Sequence, residues 1–211
     1  SGTVLMVGFR ANSSGELAVN SGGRLLSGDS TVEGYIAHGP GSTGSVNVNG
    51  GTWNNSGSLY VGGNASSAGG TGTLSVSDGG AVNVGTTLKL WDDGTFNLTG
   101  GSVTTETLDL AAGTLNFTGG QLFADTVVGD LVVDGGELCP GCSPGTMSID
   151  GNLTLSSGSI LVELGGTCQG SEYDLLSVDG NLALGGELNV VLYDLGGGMF
   201  QPTEGDVFDI L

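Results

Sequence analysis

The chain has 211 residues, 44 of them Gly and 37% hydrophobic, with 22 Asp and Glu against three Lys and Arg. A formal charge of −19 with so few cations excludes a nucleic-acid binder, which needs Lys and Arg to displace counterions from phosphates, and an anionic membrane surface would repel it. Four Pro and no Gly-X-Y triplet exclude collagen, and no apolar run approaches the ~20 residues of a membrane helix.

The chain opens on an apolar stretch, Thr3-Val-Leu-Met-Val7, that predicts a strand. Then a phrase begins to recur: Gly, two apolar residues separated by one residue, and a Gly pair. Gly15-x-Leu17-x-Val19 precedes Gly22-Gly23, and Gly44-x-Val46-x-Val48 precedes Gly50-Gly51. Gly72-x-Leu74-x-Val76 precedes Gly79-Gly80, and Gly94-x-Phe96-x-Leu98 precedes Gly100-Gly101. Gly113-x-Leu115-x-Phe117 and Gly129-x-Leu131-x-Val133 lead to the pairs at Gly119 and Gly135. The pairs begin 28, 29, 21, 19 and 16 residues apart, each enough for one turn of two or three short strands. Repetition on this scale is the signature of a stacked architecture.

Alternation places Leu17, Val19, Val46, Val48, Leu74 and Val76 on one interior and small or polar residues outside, because successive strand residues point oppositely. No window keeps a helical stripe. The expected fold is all-β: a parallel β-solenoid, or right-handed β-helix, of about nine or ten circuits rising roughly 45 Å, with no significant helix. Residues 1–136 form Gly/Asn/Ser-rich repeats. Residues 137–211 are more apolar (Met147-Ser-Ile149, Leu153-Thr-Leu155, Leu188-Asn-Val190) and are expected to continue the same stack.

The circuits from Leu59-Tyr-Val61-Gly62-Gly63 through Leu74-Ser-Val76-Ser-Asp78-Gly79-Gly80 resemble repeats of bacterial autotransporter passengers and PEP-CTERM-associated surface proteins. Pro140-Gly-Cys-Ser-Pro144-Gly145-Thr is similar to a junction common in those proteins. Glu163-Leu-Gly-Gly-Thr167, Glu172-Tyr-Asp174 and Gly205-Asp-Val-Phe208 resemble the segment that usually follows it. The resemblance covers nearly the whole chain. It implies a β-solenoid architecture and an extracellular place at the bacterial cell surface. No signal peptide opens the chain, so residue 1 is expected to be a processed or excised start.

Candidate chemistry is sparse. A lyase of this shape would need Arg or Lys to engage an acidic sugar, and the basic inventory is Arg10, Arg24 and Lys89. A hydrolase would need carboxylates converging on one face. His38 lies in a Gly39-Pro40-Gly41 turn, far in sequence from a Ser or Cys partner. No enzyme is therefore expected. Ca²⁺ is the cofactor the acidic loops would suit, through Asp92, Asp93, Asp134 and Glu137, with solvated turn carboxylates the stronger reading. Six Asn-x-Ser/Thr triplets occur, at Asn12, Asn54, Asn64, Asn97, Asn116 and Asn152, a number chance explains in so Asn- and Ser-rich a chain.

Cys139, Cys142 and Cys168 are the disulfide candidates: Cys139 with Cys142 across the Pro-Gly turn, or one of them with Cys168. Trp53 and Trp91 could share an outward stripe for a glycan or host surface, with core filling the stronger reading. Thr71, Thr73, Thr86, Thr87 and Thr95 look too irregularly spaced for the ladder an ice-binding face needs.

The ends carry the functional expectation. Val4, Leu5 and Val7 at one end, and Val207, Phe208, Ile210 and Leu211 at the other, read as strands without a polar cap. Such ends favour self-association, either head to tail or as part of a longer solenoid. The expected role is structural: a surface stalk, matrix or adhesive element, or fibre subunit. A glycan- or host-surface adhesin is the alternative, and a polysaccharide-active β-helix enzyme the remote one.

Overall fold

The computed structural model describes residues 3–28, 32–110, 112–141 and 144–211, and among them there is no helix. The first circuit is β1 (Leu5–Val7), β2 (Ser14–Asn20) and β3 (Arg24–Ser27). The second is β4 (Gly34–Ile36), β5 (Thr43–Asn49) and β6 (Thr52–Asn55). The third is β7 (Leu59–Val61), β8 (Thr71–Ser77) and β9 (Ala81–Val84). After β10 (Thr87–Leu90) the turns tighten, and the strands run around corners as β11 (Gly94–Asp109), β12 (Thr114–Val128) and β13 (Leu131–Pro140). Then come β14 (Thr146–Asp150), β15 (Leu153–Leu164), β16 (Leu175–Val178), β17 (Leu182–Leu184) and β18 (Glu187–Leu192).

Every strand-to-strand pairing is parallel and joins one circuit to the next, so the chain is a parallel β-solenoid with three faces. On the first face, β1, β4, β7 and β10 stack in order and continue through the last part of β11. On the second, β2, β5, β8 and the first parts of β11 and β12 align. The third face keeps one unbroken outward column: Arg24, Thr52, Ala81, Ser102, Gln121, Glu137, Ser159 and Glu187. Its inward neighbour is Leu25, Trp53, Val82, Val103, Leu122, Leu138, Ile160 and Leu188.

That column has eight members, so eight circuits stand where nine or ten were expected, and at ~4.8 Å each they span roughly 35 Å. The difference comes from the C-terminal part. There the register offset returns to 29 residues (Ile149 to Val178), because the ten residues between β15 and β16 form no strand of the ladder. Residues 193–211 add no further named strand, so Val207–Leu211 is not the closing strand the sequence suggested. The boundary at 136/137 falls inside β13, and the ladder runs through it.

The interior is one continuous apolar column from Val7 to Leu176, with Ile36, Leu59, Leu74, Leu88, Phe96, Leu122 and Leu153 wholly buried. Each such side chain contributes about 1.5–3 kcal/mol on burial. A polar cluster around Trp53 interrupts it. Trp53 Nε1–H donates to Ser27 Oγ (2.8 Å), and the Ser27 hydroxyl donates to Asn55 Oδ1 (2.8 Å). Asn55 Nδ2 donates to the carbonyls of Gly57 and Ser58, both at 2.9 Å, so the buried polar groups satisfy one another.

The corner between the second and third faces is a column of glycines, and the sequence phrase repeats because of it. Successive circuits come so close here that a side chain on one would enter the backbone of the next: a Cβ on Gly51 would lie 2.6 Å from the Asn20 carbonyl oxygen. Glycine is the residue that leaves that space empty.

Candidate functional surfaces

The three faces and the two ends present different chemistry. The second face carries hydroxyls and amides in straight columns: Glu16, Ser45, Thr73, Thr95 and Thr114 form one, and Ala18, Asn47, Ser75, Asn97 and Asn116 the next. Asn116 Nδ2 donates to Asn97 Oδ1 (2.8 Å), and Asn97 Nδ2 to Ser75 Oγ (3.3 Å), which ties the amides along the axis. Thr73 and Thr95 are therefore neighbours in a regular ladder, contrary to the irregularity of their spacing in sequence. The extra residues of the longer circuits loop out at the corners, and the strands stay aligned.

The first face carries a cluster of aromatic residues. Tyr35 and Tyr60 are register partners whose rings stack at 5.7 Å, with Tyr35 edge-on to His38 at 4.9 Å and His38 5.0 Å from Phe9. Both tyrosine hydroxyls donate to the Glu33 carboxylate, Tyr60 at 3.3 Å. Burial, reinforced by Glu33, pushes the Tyr35 phenol up to about 12. Below them Lys89 pairs with Asp109 and lies 4.7 Å from the centre of the Trp91 ring. Trp91 is half-buried, and its Nε1–H donates to the Asn64 carbonyl (2.9 Å).

Trp53 is wholly buried on the inward column of the third face, so it shares no outward stripe with Trp91. Strand alternation from the preceding Gly pair, through Thr52 outward to Trp53 inward, was the signal for this.

The Ca²⁺ candidates do not come together. Asp92 and Asp93 sit in the exposed turn between β10 and β11. Asp134 accepts from the Ser157 hydroxyl at 3.3 Å, and Glu137 accepts from Gln121 Nε2 (2.8 Å) and Ser159 Oγ (3.3 Å). Among the described residues no three His, Cys, Asp or Glu side chains converge to hold a metal ion. Glu137 and Glu187 instead flank a shallow groove of about 610 Å³ whose floor is the glycine corner at Gly120, Gly136, Gly158 and Gly186.

The expected disulfides through Cys139 and Cys168 are not formed; both are free thiols, and Cys142 lies outside the described residues. Cys139 is buried at the end of β13, and that burial, with nearby Glu137, Glu163 and Asp174, pushes its thiol up to about 12. Cys168 is exposed on the loop between β15 and β16. The thiols therefore stand in separate environments, one inside the wall and one in solvent.

At the N-terminal end Val4 is exposed, Leu5 half-buried and Val7 buried. At the other end Phe208 and Ile210 fold back onto the first face. The Leu176 N–H donates to the Ile210 carbonyl (2.9 Å), and Phe208 meets Tyr173 edge-on at 5.2 Å. Val207 and Leu211 stay exposed. Leu211 nevertheless lines a cavity of about 70 Å³ with Leu155, Ile160, Leu184 and Leu188, so Phe208, Ile210 and Leu211 lie against the stack while Val207 points into solvent.

The larger apolar surface is one the sequence reading missed. Leu182, Leu184, Leu188, Val190 and Leu192 are 39–53% exposed, although each is the register partner of a buried residue one circuit earlier. They are interior residues with no circuit beneath them. Compared with family models, curated proteins and solved structures, the chain gives no match.

Proposed function

We propose that this protein is an extracellular structural β-solenoid, a surface stalk, matrix element or fibre subunit that works by its stiffness and by self-association through its ends. The observation that carries this reading is the last circuit, whose interior leucines and valines are half-exposed along strands β17 and β18, each paired on one side only. Parallel ladders that join all eight circuits supply the stiffness, and unpaired strand edges beside apolar side chains are a known template for association. The likeness of the repeats to autotransporter and PEP-CTERM-associated proteins supports the cell-surface setting. Light scattering of the purified chain across concentration tests the proposal. Mass growing in whole multiples of one chain is the expected result, and a single monomeric mass at every concentration overturns it.

A second reading, a binding face for a glycan or another repeating uncharged surface, is favoured by the aligned hydroxyl and amide columns of the second face. Adsorption to a glycan array, or partition into growing ice, that is lost on Thr95→Lys supports it. Adsorption unchanged by that substitution removes it.

A further inference from the structure

Two of the four tyrosines, Tyr35 and Tyr60, stand on adjacent circuits of the first face as register partners. Their rings lie 5.7 Å apart, centre to centre, with planes within 20° of parallel. Both hydroxyls donate to one carboxylate, Tyr35 to Glu33 Oε2 and Tyr60 to Glu33 Oε1 at 3.3 Å. Strand register and that shared acceptor set the rings the same way round, so the carbon ortho to one hydroxyl faces its counterpart on the other. Met6 is Tyr35's register partner on the preceding circuit, and Lys89 is Tyr60's on the following one. Each phenol therefore has a single phenolic neighbour along this column. Tyr35 and Glu33 are half-buried and reach solvent, while Tyr60 is buried.

We propose that Tyr35 and Tyr60 form a site of oxidative cross-linking, where a one-electron oxidant of the haem-peroxidase class, supplied with hydrogen peroxide, joins them as dityrosine. Tyr35 gives an electron to the oxidant and its phenolic proton to the Glu33 carboxylate, which passes the proton to water. A second oxidation, relayed across the stack to buried Tyr60, uses the same proton acceptor. The shared carboxylate matters because a neutral phenol yields its electron readily only when its proton has a place to go.

The two phenoxyl radicals couple through their ortho carbons and form one C–C bond. Each coupled carbon then releases its hydrogen as a proton while the oxygen of that ring regains one, which restores two phenols. In balance, the pair loses two electrons and two protons, and one hydrogen peroxide takes them up to become two waters. The bond ties the second circuit to the third from outside. A cross-link of this kind restricts the unfolded chain as a disulfide does, in a rod where Cys139 and Cys168 are free thiols. It forms whether or not the rod self-associates.

Treatment of the purified chain with a haem peroxidase and limiting hydrogen peroxide tests the site, read by peptide mapping and dityrosine fluorescence. The expected product is a monomeric chain in which the Tyr35 and Tyr60 peptides are joined, two hydrogen atoms lighter than their sum. Tyr35→Phe and Tyr60→Phe, each checked for folding by circular dichroism, are expected to lose this product, and Tyr193→Phe to keep it. Glu33→Gln is expected to slow its formation by about tenfold or more, because the amide takes up no proton. The chain unfolded in urea is expected to lose the preference for this pair, and an equal preference in urea would mean that stacking does not select it. Dityrosine that joins separate chains or involves Tyr173 or Tyr193 in place of this link overturns the site, as does a native chain that forms none. Cross-linking of Glu33→Gln at the native rate overturns the part assigned to the carboxylate.

Discussion

Gly120 lies against Gly101 of the circuit before it, and a Cβ added at Gly120 would stand 2.6 Å from the Gly101 carbonyl oxygen. Its φ of 81° adds a left-handed backbone that a side chain disfavours. Gly79, at φ 77°, has the same handedness but no atom within 4 Å of the added Cβ. Gly120→Ala is therefore expected to cost about 2–4 kcal/mol and Gly79→Ala about 1–2 kcal/mol, measured by urea denaturation. Equal losses would mean that stacking distance does not explain the glycine corner.

The same corner shows how far the sequence could be read. On the third face the register steps run Arg24 to Thr52, Thr52 to Ala81, Ala81 to Ser102, Ser102 to Gln121 and Gln121 to Glu137. They repeat the successive spacings of the Gly pairs. The phrase thus encodes the wall and the axial register together, because close approach at a corner permits glycine alone. The open end was not legible. Leu182-Ala-Leu184 and Leu188-Asn-Val190 read as ordinary core strands, and alternation within a strand does not report whether another circuit lies beneath it. The aligned threonine ladder was hidden for a related reason, since residue spacing along the chain counts loops that add nothing to height.

Trp53 and Trp91 should be separable in fluorescence. With Trp91→Phe, the remaining emission from Trp53 is expected at short wavelength and shielded from acrylamide, as its burial requires. Trp53→Phe loses the hydrogen bond to Ser27 and leaves space in the core, at an expected cost of about 2–4 kcal/mol. Ready quenching of Trp53 would place it outside and contradict its position in the inward column.

The thiols make a chemical test of the wall. Iodoacetamide at neutral pH is expected to label exposed Cys168 and to leave Cys139 unmodified until the chain unfolds, since burial both shields that thiol and pushes its pKa up to about 12, which keeps it protonated at neutral pH. Peptide mapping without reduction reads the outcome. Recovery of Cys139 in a disulfide with Cys168 would contradict the separation of the two thiols.

Asp174 supplies a pH test. Its carboxylate is buried and accepts from the Gly145 N–H (2.7 Å) and the Glu163 N–H (2.8 Å), tying the start of β14 to β15. Burial is the larger influence and raises its pKa above the usual carboxyl value, against the lowering effect of those two donors. The folded chain therefore holds this proton more tightly than the unfolded chain. Its contribution to stability is fully present below the ordinary carboxyl pKa and lost as pH rises through the raised one. Asp174→Asn lacks this titration and forfeits one N–H acceptor, so it is expected to be destabilising, with a larger deficit at pH 3 than at pH 7. Denaturation at the two pH values checks this, and a deficit that shrinks on acidification would reverse the assigned sign.

The most direct measurement is electron microscopy of the purified chain at rising concentration, with the power spectrum of any filament recorded. The predicted result is filaments one rod wide that lengthen with concentration and carry an axial repeat of about 4.8 Å. Separate particles roughly 35 Å long at every concentration, eight circuits and no more, would contradict self-association through the ends.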